Sequence, residues 1–358
     1  MKKKCVILIP ALDPPAEFRD YINHLIHDGF DAVIVVDDGS SDKKIFEDIS
    51  RYPQVTVLTH EINYGKGKAL RTGFDYYRSH FSPEEYSGVI TVDSDGQHLV
   101  DDVKKLRDRL SSGSQHIILG VRDFDQENVP PKSKFGNKLT SAIFRLFLNL
   151  RISDTQTGLR GIPNSLVEPC LAISGDRFEY ETAMLIDLGK KAGLEEIKIH
   201  TVYYDKNEGT HFHPIRDSIR IYRLLFGTFF RYLLSSLSAF LVDICLFALG
   251  TKILFRGLAL YIPVSTVFAR VFSGIYNYLI NRNMVFKSRA SYAFSGFSYL
   301  SLCILQMAAS AALVSLTYHL LPLDELLVKN INDSCIFMNS YQIHKNLPLP
   351  FDHNKYYY

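Results

Sequence analysis

With 358 residues the chain is long enough for two domains, and charged residues are frequent up to about Arg231 and then thin out, which locates the division. A net charge of +2 excludes the broadly basic character of a nucleic-acid binder. Five cysteines without a close-spaced pair (Cys5, Cys170, Cys245, Cys303, Cys335) exclude a disulfide scaffold and a cysteine zinc site.

The chain opens on Met1-Lys2-Lys3-Lys4 and a short apolar run that stops at Pro10. That run is too short for a signal peptide and reads as a first strand. Short apolar runs then alternate with helical patterns. Strands are expected near 5–11, 32–37, 55–59, 88–93 and 116–121, and helices near 15–28, 42–51, 66–80 and 100–112. Strands separated by helices make a mostly parallel, doubly wound sheet, which binds ligands beyond the carboxyl ends of its strands.

The polar clusters fall at those ends: Pro10-Ala11-Leu12-Asp13, then Asp37-Asp38-Gly39-Ser40, then Asn63-Tyr64-Gly65-Lys66-Gly67-Lys68, then Asp93 to His98, and Arg122 after the fifth strand. One site is implied. Within Ile90 to His98, strand alternation puts Asp93 and Asp95 on one face. Two carboxylates at a strand end suit Mg²⁺ or Mn²⁺, which leave other positions for water and phosphate oxygens. Taken alone, Asp-Ser-Asp-Gly is an ordinary turn, and Asp37 to Asp42 is equally a turn with Ser41 or Asp42 as a helix cap. The Gly65-Lys66-Gly67-Lys68 loop fits neither a Walker loop nor a dinucleotide fingerprint, since Leu70 stands where the latter needs its third glycine. It remains a basic loop opening a helix, able to serve a diphosphate through backbone N–H groups and Lys66.

In order, Val36-Asp37-Asp38-Gly39-Ser40, Asn63 to Ala69, Asp93-Ser94-Asp95-Gly96-Gln97-His98 and Asp154-Thr155-Gln156-Thr157-Gly158-Leu159-Arg160 resemble the family 2 glycosyltransferases. More narrowly they resemble the dolichol- and polyprenyl-phosphate sugar synthases, over about residues 5–230. The resemblance implies the α/β GT-A fold, a nucleotide-sugar donor, a divalent metal and an inverting displacement. By position, Pro10, Ala11, Asp13 and Asp38 would line the base and ribose, Lys66 would help bind the donor, and Asp93, Asp95 and Gln97 would hold the metal. Arg122 would face the diphosphate, Asp154 would be a catalytic or positioning carboxylate, and Arg145 and Arg160 would hold the lipid phosphate. Ser94 replaces the family's usual alanine, a small change.

Between 132 and 150, Phe135, Leu139, Ala142, Ile143, Leu146 and Leu150 follow helical spacing, with Lys132, Lys134, Lys138 and Arg145 among them. Arg216, Arg220 and Arg223 recur in the same way near 214–228, beside Ile215, Ile219, Tyr222 and Phe226. Both patterns suit a helix lying against anionic headgroups.

Residues 229–250, 258–280 and 294–321 are each long and apolar enough to span a bilayer. Basic residues before the first span and between the second and third (Arg282, Lys287, Arg289) place the catalytic domain, 1–228, in the cytoplasm at the plasma membrane. Asp243 and Arg270, inside or at the edge of spans, mark a functional or pairing role. Arg231-Tyr232-Leu233-Leu234, Asp243 and Asn277 to Phe286 resemble the GtrA-like membrane domain, here 229–358. That family has four spans, whereas a fourth span near 326–345 is interrupted by Lys329, Asn330, Asn332, Asp333 and Asn339.

The expected activity is transfer of a hexose or N-acetylhexosamine from a nucleotide diphosphate sugar, UDP favoured, to a polyprenyl phosphate, feeding envelope glycan modification. Nucleic acid is not an expected partner, and assembly into a homo-oligomer stays open. A processive polysaccharide synthase shares fold and anchor but ends its acceptor motif in tryptophan, which this chain lacks. A soluble nucleotidyltransferase has no use for the spans. A transport or scaffold protein for polyprenyl-linked sugars has no use for the full set of site residues.

Overall fold

The computed structural model describes residues 3–125, 129, 131–148, 150–200 and 214–286, and individual positions between 291 and 343. The chain divides after Leu225 into two compact units.

The first unit runs β1 (Lys4–Ala11), α1 (Phe18–His27), β2 (Val33–Asp37), α2 (Lys44–Ile49), β3 (Val55–Thr59), α3 (Lys66–His80), β4 (Tyr86–Thr91), α4 (Val100–Ser111) and β5 (Ile117–Val121). There follow α5 (Pro131–Leu148), β6 (Arg160–Pro163), α6 (Asn164–Leu171), α7 (Glu179–Ala192) and β7 (Leu194–Lys198). The seven strands form one sheet in the order β3-β2-β1-β4-β6-β5-β7, parallel throughout except β6, which runs antiparallel to β4 and β5.

β1 is buried on both faces, which is why it reads as a continuous apolar run. Cys5, Ile7, Ile9 and Ala11 join Phe18, Ile22 and Leu25 of α1 and Val103, Leu106 and Leu110 of α4 in the main core. The alternate residue Leu8 meets α3 so closely that a Cβ at Gly73 would lie 2.1 Å from its Cδ1. The antiparallel strand decides where the site can be. Because β6 enters from the edge at which β4 and β5 leave, the loop before it, Asp154 to Leu159, arrives beside the ends of both. Thr91 Oγ1 donates to Gly158 O at 2.8 Å and Thr157 Oγ1 to Gly120 O at 2.6 Å, tying that loop to both neighbours.

α8 (Pro214–Leu249) continues as a π-helical turn over Gly250–Leu254, and α9 (Tyr261–Ile280) as another over Asn281–Val285. Among the described residues one helical stretch, Phe229–Leu254, is long and apolar enough to cross a bilayer, with 26 residues and a mean hydropathy of 2.0. α9 has 20 residues but carries Arg270 and Asn277 and does not reach that apolarity.

Within the second unit α8 and α9 meet along a polar seam. On α9 the residues Ser265, Ala269 and Ser273 are buried, spaced in fours, as is Asn281 just beyond it, while Val267, Val271, Phe272 and Leu279 face outward. Across the seam Ser235 Oγ donates to Asn277 Oδ1 at 3.2 Å, Ser273 Oγ to Asp243 Oδ1 at 2.8 Å, and Gly250 lies against Ser265. Arg270 is 3.8 Å from Asp243, so these two charges pair, as expected of them from the sequence. Tyr341, from the interrupted stretch near the end, packs against Phe229 and Tyr232 at ring separations of 5.3 and 5.5 Å. Most of the third expected span, most of the rest of the fourth, Lys287, Arg289 and the side chains of Lys132 and Arg216 lie outside the described residues.

Candidate active site

The carboxyl ends of β1, β2 and β3 are knitted by acidic side chains. Asp13, with a left-handed φ of 43°, accepts from Ser41 N at 2.7 Å while its own N–H donates to Ser40 Oγ at 2.9 Å. Asp37 accepts from Ser40 N at 2.8 Å and pairs with Lys43. Asp38 accepts from Tyr64 N at 3.0 Å and Gly65 N at 2.7 Å, and lies 2.7 Å from His60 Nδ1. The carboxylates of Asp13 and Asp38 therefore organise the loops around the end of β1, where Pro10 and Ala11 are buried. His60, absent from the sequence expectation, joins them through Asp38 and Thr72.

The glycines of the basic loop have a task other than cradling phosphate. At Gly65, with φ of 106°, a Cβ would lie 2.4 Å from Asp176 O, and at Gly67 it would lie 2.5 Å from Tyr180 Cβ. Lys68 N donates to Asp176 O at 3.0 Å, so one of the N–H groups at the start of α3 is already committed to the protein. The side chain of Lys66 turns inward, 2.7 Å from Asp93 Oδ1 and 2.8 Å from Glu181 Oε2.

β4 stops at Thr91, so Asp93 and Asp95 stand on the turn beyond it and not on a strand face as alternation suggested. Gln97 N donates to Asp95 Oδ1 at 3.0 Å, and His98 Nε2 is 3.4 Å from Asp93 Oδ2. Burial alone would raise the Asp93 carboxyl, but Lys66 and His98 more than offset it and hold it well below the usual carboxylate range. Asp95, open to solvent on one side, is pushed upward by its setting in the cleft and by the neighbouring Asp93 charge. Under this turn lies Gly158: a Cβ there would stand 2.2 Å from Asp93 Oδ2. Only glycine leaves room for that carboxylate. A cavity of about 490 Å³ opens beside the turn between α1 and the start of α4, lined by Tyr21, His24, His27 and His98 among others.

On the far side of β4, Arg122 makes a two-pronged ion pair with Asp154, Nε to Oδ2 at 2.7 Å and Nη2 to Oδ1 at 3.1 Å, and stacks 5.0 Å over Phe124. Asp154 is fully buried and its second role is to accept from Gln156 N at 3.1 Å. Two residues expected from sequence are thus partners, the carboxylate fixing the guanidinium. Arg160, at the end of the same motif, is not where a residue holding a lipid phosphate was expected. It is 1% exposed, donates to Thr157 O at 2.9 Å and to Glu181 O at 2.8 Å, and faces the interior. A guanidinium held in this way braces α7 and has no route to a lipid phosphate. Arg145 is exposed on α5, on the side that also exposes Phe135 (70%), Leu139 (42%) and Leu146 (60%). On the same helix Ile143 and Phe144 are buried.

Acidic turn, basic α3 loop and Arg–Asp pair around the carboxyl ends of a mostly parallel sheet define the α/β GT-A class. Residues 6–168 match glycosyl transferase family 2, and residues 231–347 match the GtrA/DPMS transmembrane domain. An uncharacterized protein of Methanocaldococcus jannaschii is 30% identical over 218 residues, covering 59% of this chain and 87% of that protein. The UDP-N-acetylglucosamine–dolichyl-phosphate N-acetylglucosaminyltransferase of Methanococcus voltae is 28% identical over 232 residues, 58% of this chain and 90% of the relative. A dolichyl-phosphate beta-glucosyltransferase of Trichomonas vaginalis is 26% identical over 136 residues, 36% and 40%. A glucosyl-3-phosphoglycerate synthase of Mycobacterium tuberculosis, crystallised with Mn²⁺ and UDP, superposes with a TM-score of 0.46 at 18% identity, covering 63% of this chain and 79% of that one. The chain belongs to glycosyltransferase family 2 and carries a GtrA/DPMS transmembrane domain behind its catalytic domain. It is a membrane-bound glycosyltransferase.

Proposed function

We propose that residues 1–228 transfer a hexose or N-acetylhexosamine, with inversion, from a UDP-sugar to a polyprenyl phosphate at the cytoplasmic face of the plasma membrane. The observation that carries this reading is the convergence of the acidic turn at Asp93 and Asp95 with the Asp154–Arg122 pair, one on each side of the loop at Gly158. The relatives named for dolichyl-phosphate acceptors support the lipid acceptor, and those named for N-acetylglucosamine and glucose set the first donors to try.

The donor set fits a hard divalent ion. Asp93 and Asp95 stand two residues apart on one turn, and burial together with the Asp93 charge pushes Asp95 toward its neutral form, which a cation there would relieve. Among the described residues no three His, Cys, Asp or Glu side chains close into a cage, so Mg²⁺ or Mn²⁺ at Asp93 and Asp95 would complete its shell with water and diphosphate oxygens. Gln97, whose N–H steadies Asp95, completes the proposed metal end. Such an ion would neutralise charge on the departing nucleoside diphosphate. The chain's own residues do the rest. Arg122, held by Asp154, offers a fixed cation to the leaving group, which costs no reorganisation at the moment of transfer. Asp13 and Asp38 keep the base-side loops in place. A polyprenyl phosphate is already ionised at neutral pH, so no strong base is needed to make it a nucleophile.

The exposed apolar side chains of α5, with Arg145 among them, suit contact with headgroups and acyl chains. With the basic residues Arg220 and Arg223 ahead of the first span and Arg231 at its start, they favour the cytoplasmic face and a multi-pass membrane domain over 229–358. The test is to incubate membranes containing the enzyme with labelled UDP-sugars and undecaprenyl phosphate. A chloroform-soluble monophosphate sugar is the expected product. Polymer would point to a processive synthase, and no product with any donor would point to a transport or scaffold role.

A further inference from the structure

The buried charges around Asp93 do not stop at the acidic turn. Lys66 sits between two carboxylates, 2.7 Å from Asp93 Oδ1 and 2.8 Å from Glu181 Oε2. Glu181, on the first turn of α7, is 8% exposed. Its other oxygen lies 3.7 Å from Arg160 Nη2, and Arg160 is pinned by the carbonyls of Thr157 and Glu181 itself. Glu181 is therefore a fixed seat, whereas Asp93 stands on a turn. The chain runs Asp93, Lys66, Glu181, Arg160, with alternating sign and one lysine shared between a metal-side carboxylate and a structural one.

We propose that Glu181 is a positioning residue that sets the strength of the donor site's metal end by holding Lys66 on a second seat. This inference rests on the reading of Asp93 and Asp95 as metal ligands. An ammonium and a divalent cation compete for Asp93 Oδ1. With Glu181 present, Lys66 can give up Asp93 and still keep a partner, so its displacement does not strand a buried charge. With Glu181 neutral, Asp93 becomes the carboxylate on which Lys66 relies, and a cation has to break that pair at the full cost of leaving a buried ammonium unpartnered. The same seat keeps the Lys66 side chain at the edge of the donor site once Asp93 is taken.

The experiment is Mn²⁺ binding to the full-length enzyme in detergent without donor, followed by electron paramagnetic resonance of free Mn²⁺, with thermal melting as a fold check. Glu181→Gln is expected to weaken Mn²⁺ binding about tenfold, and Lys66→Met to tighten it by several fold. In the Lys66→Met background, Glu181→Gln is expected to change Mn²⁺ affinity less than twofold, because the competitor is gone. An equal loss in both backgrounds would mean that Glu181 acts only by its charge through space, and overturns the proposal. So does an unchanged affinity in Glu181→Gln, or a Lys66→Met variant that binds Mn²⁺ no better than wild type, an arm that stands even if Glu181→Gln fails to fold. Wild-type enzyme that binds no Mn²⁺, or that binds it equally well as Asp95→Asn, overturns the metal reading and this inference with it. Metal binding lost in Asp95→Asn but indifferent to Glu181 and Lys66 overturns the inference alone.

Discussion

The two units of this chain solve the burial of polar groups in opposite ways. In the catalytic unit the central strands β1, β2 and β5 are buried and largely apolar, and charges beyond the strand ends have partners: Asp38 with His60, Asp93 with Lys66, Asp154 with Arg122. In the second unit the small and polar residues of α9 face inward while Val267, Val271 and Phe272 face outward, as suits a helix whose surroundings are lipid. The difference shows what a buried polar group is for in each setting. At the strand ends, on the proposed reading, a charge is held ready for a ligand. Along the seam, hydroxyls and amides replace the hydrophobic driving force that lipid does not supply.

The contrast can be broken most severely at the acidic turn. Asp95→Asn is expected to lower sugar transfer to polyprenyl phosphate by at least about 10³-fold, roughly 4 kcal/mol, with melting of the purified protein unchanged. Normal turnover by that variant would remove the turn from the active site. Next comes Arg122→Ala, which leaves the fully buried Asp154 without its cation and is expected to cost about 3–5 kcal/mol of stability by denaturant unfolding, together with activity. A loss confined to turnover would mean that the pair is not structural.

A third test asks what one carboxylate inside the catalytic unit costs. Burial raises Asp187 on α7 from 3.8 to about 6. A carboxyl whose folded value is raised binds its proton more readily in the folded state, so it opposes folding above about pH 6, and that penalty fades as pH falls toward 4. Asp187→Asn should therefore stabilise the enzyme at pH 8 by up to about 3 kcal/mol and have little effect near pH 4, read from denaturation midpoints at the two pH values. Gly158→Ala comes next in size. A methyl at this place pushes on the Asp93 carboxylate, and about a tenfold loss of Mn²⁺ affinity is expected with less than about 1 kcal/mol of stability. Unchanged metal binding would show that Asp93 has room to move. The smallest effect belongs to the membrane unit. Asn277→Ala removes bonds to Ser235, Tyr299 and Asn281 and should cost only about 0.6–1.7 kcal/mol, the range for polar contacts between spanning helices. A loss as large as that of Arg122→Ala would mean that the seam carries more than packing.

Much of this was open to reading in the linear chain. The alternation of short apolar runs with helical patterns places β1 to β5 and α1 to α4 within two or three residues at each end, because periodicity and turn residues are local properties. The four polar clusters follow from motif order, whereas the pairing of Asp154 with Arg122 did not. Other features were hidden. β6 and α7 have no strong period of their own, so Glu181 had no motif to announce it, and nothing in the motif showed that the fold would bury Arg160. His60 and His98 are single histidines whose meaning depends on which carboxylate lies across from them.

By itself the sequence determined a doubly wound sheet with polar strand ends, a charge-poor apolar second half, and the glycosyltransferase motifs that join the two in one reading. Tertiary structure decided which of those residues meet. It ended β4 two residues before Asp93, ran β6 backwards so that Gly158 came to lie under Asp93, turned Lys66 inward onto Glu181, and took Arg160 out of solvent. The physical reason is range: hydrophobic period and turn chemistry act over a few neighbours, whereas an ion pair between residues 66 and 181 exists only once the sheet has set its strand order.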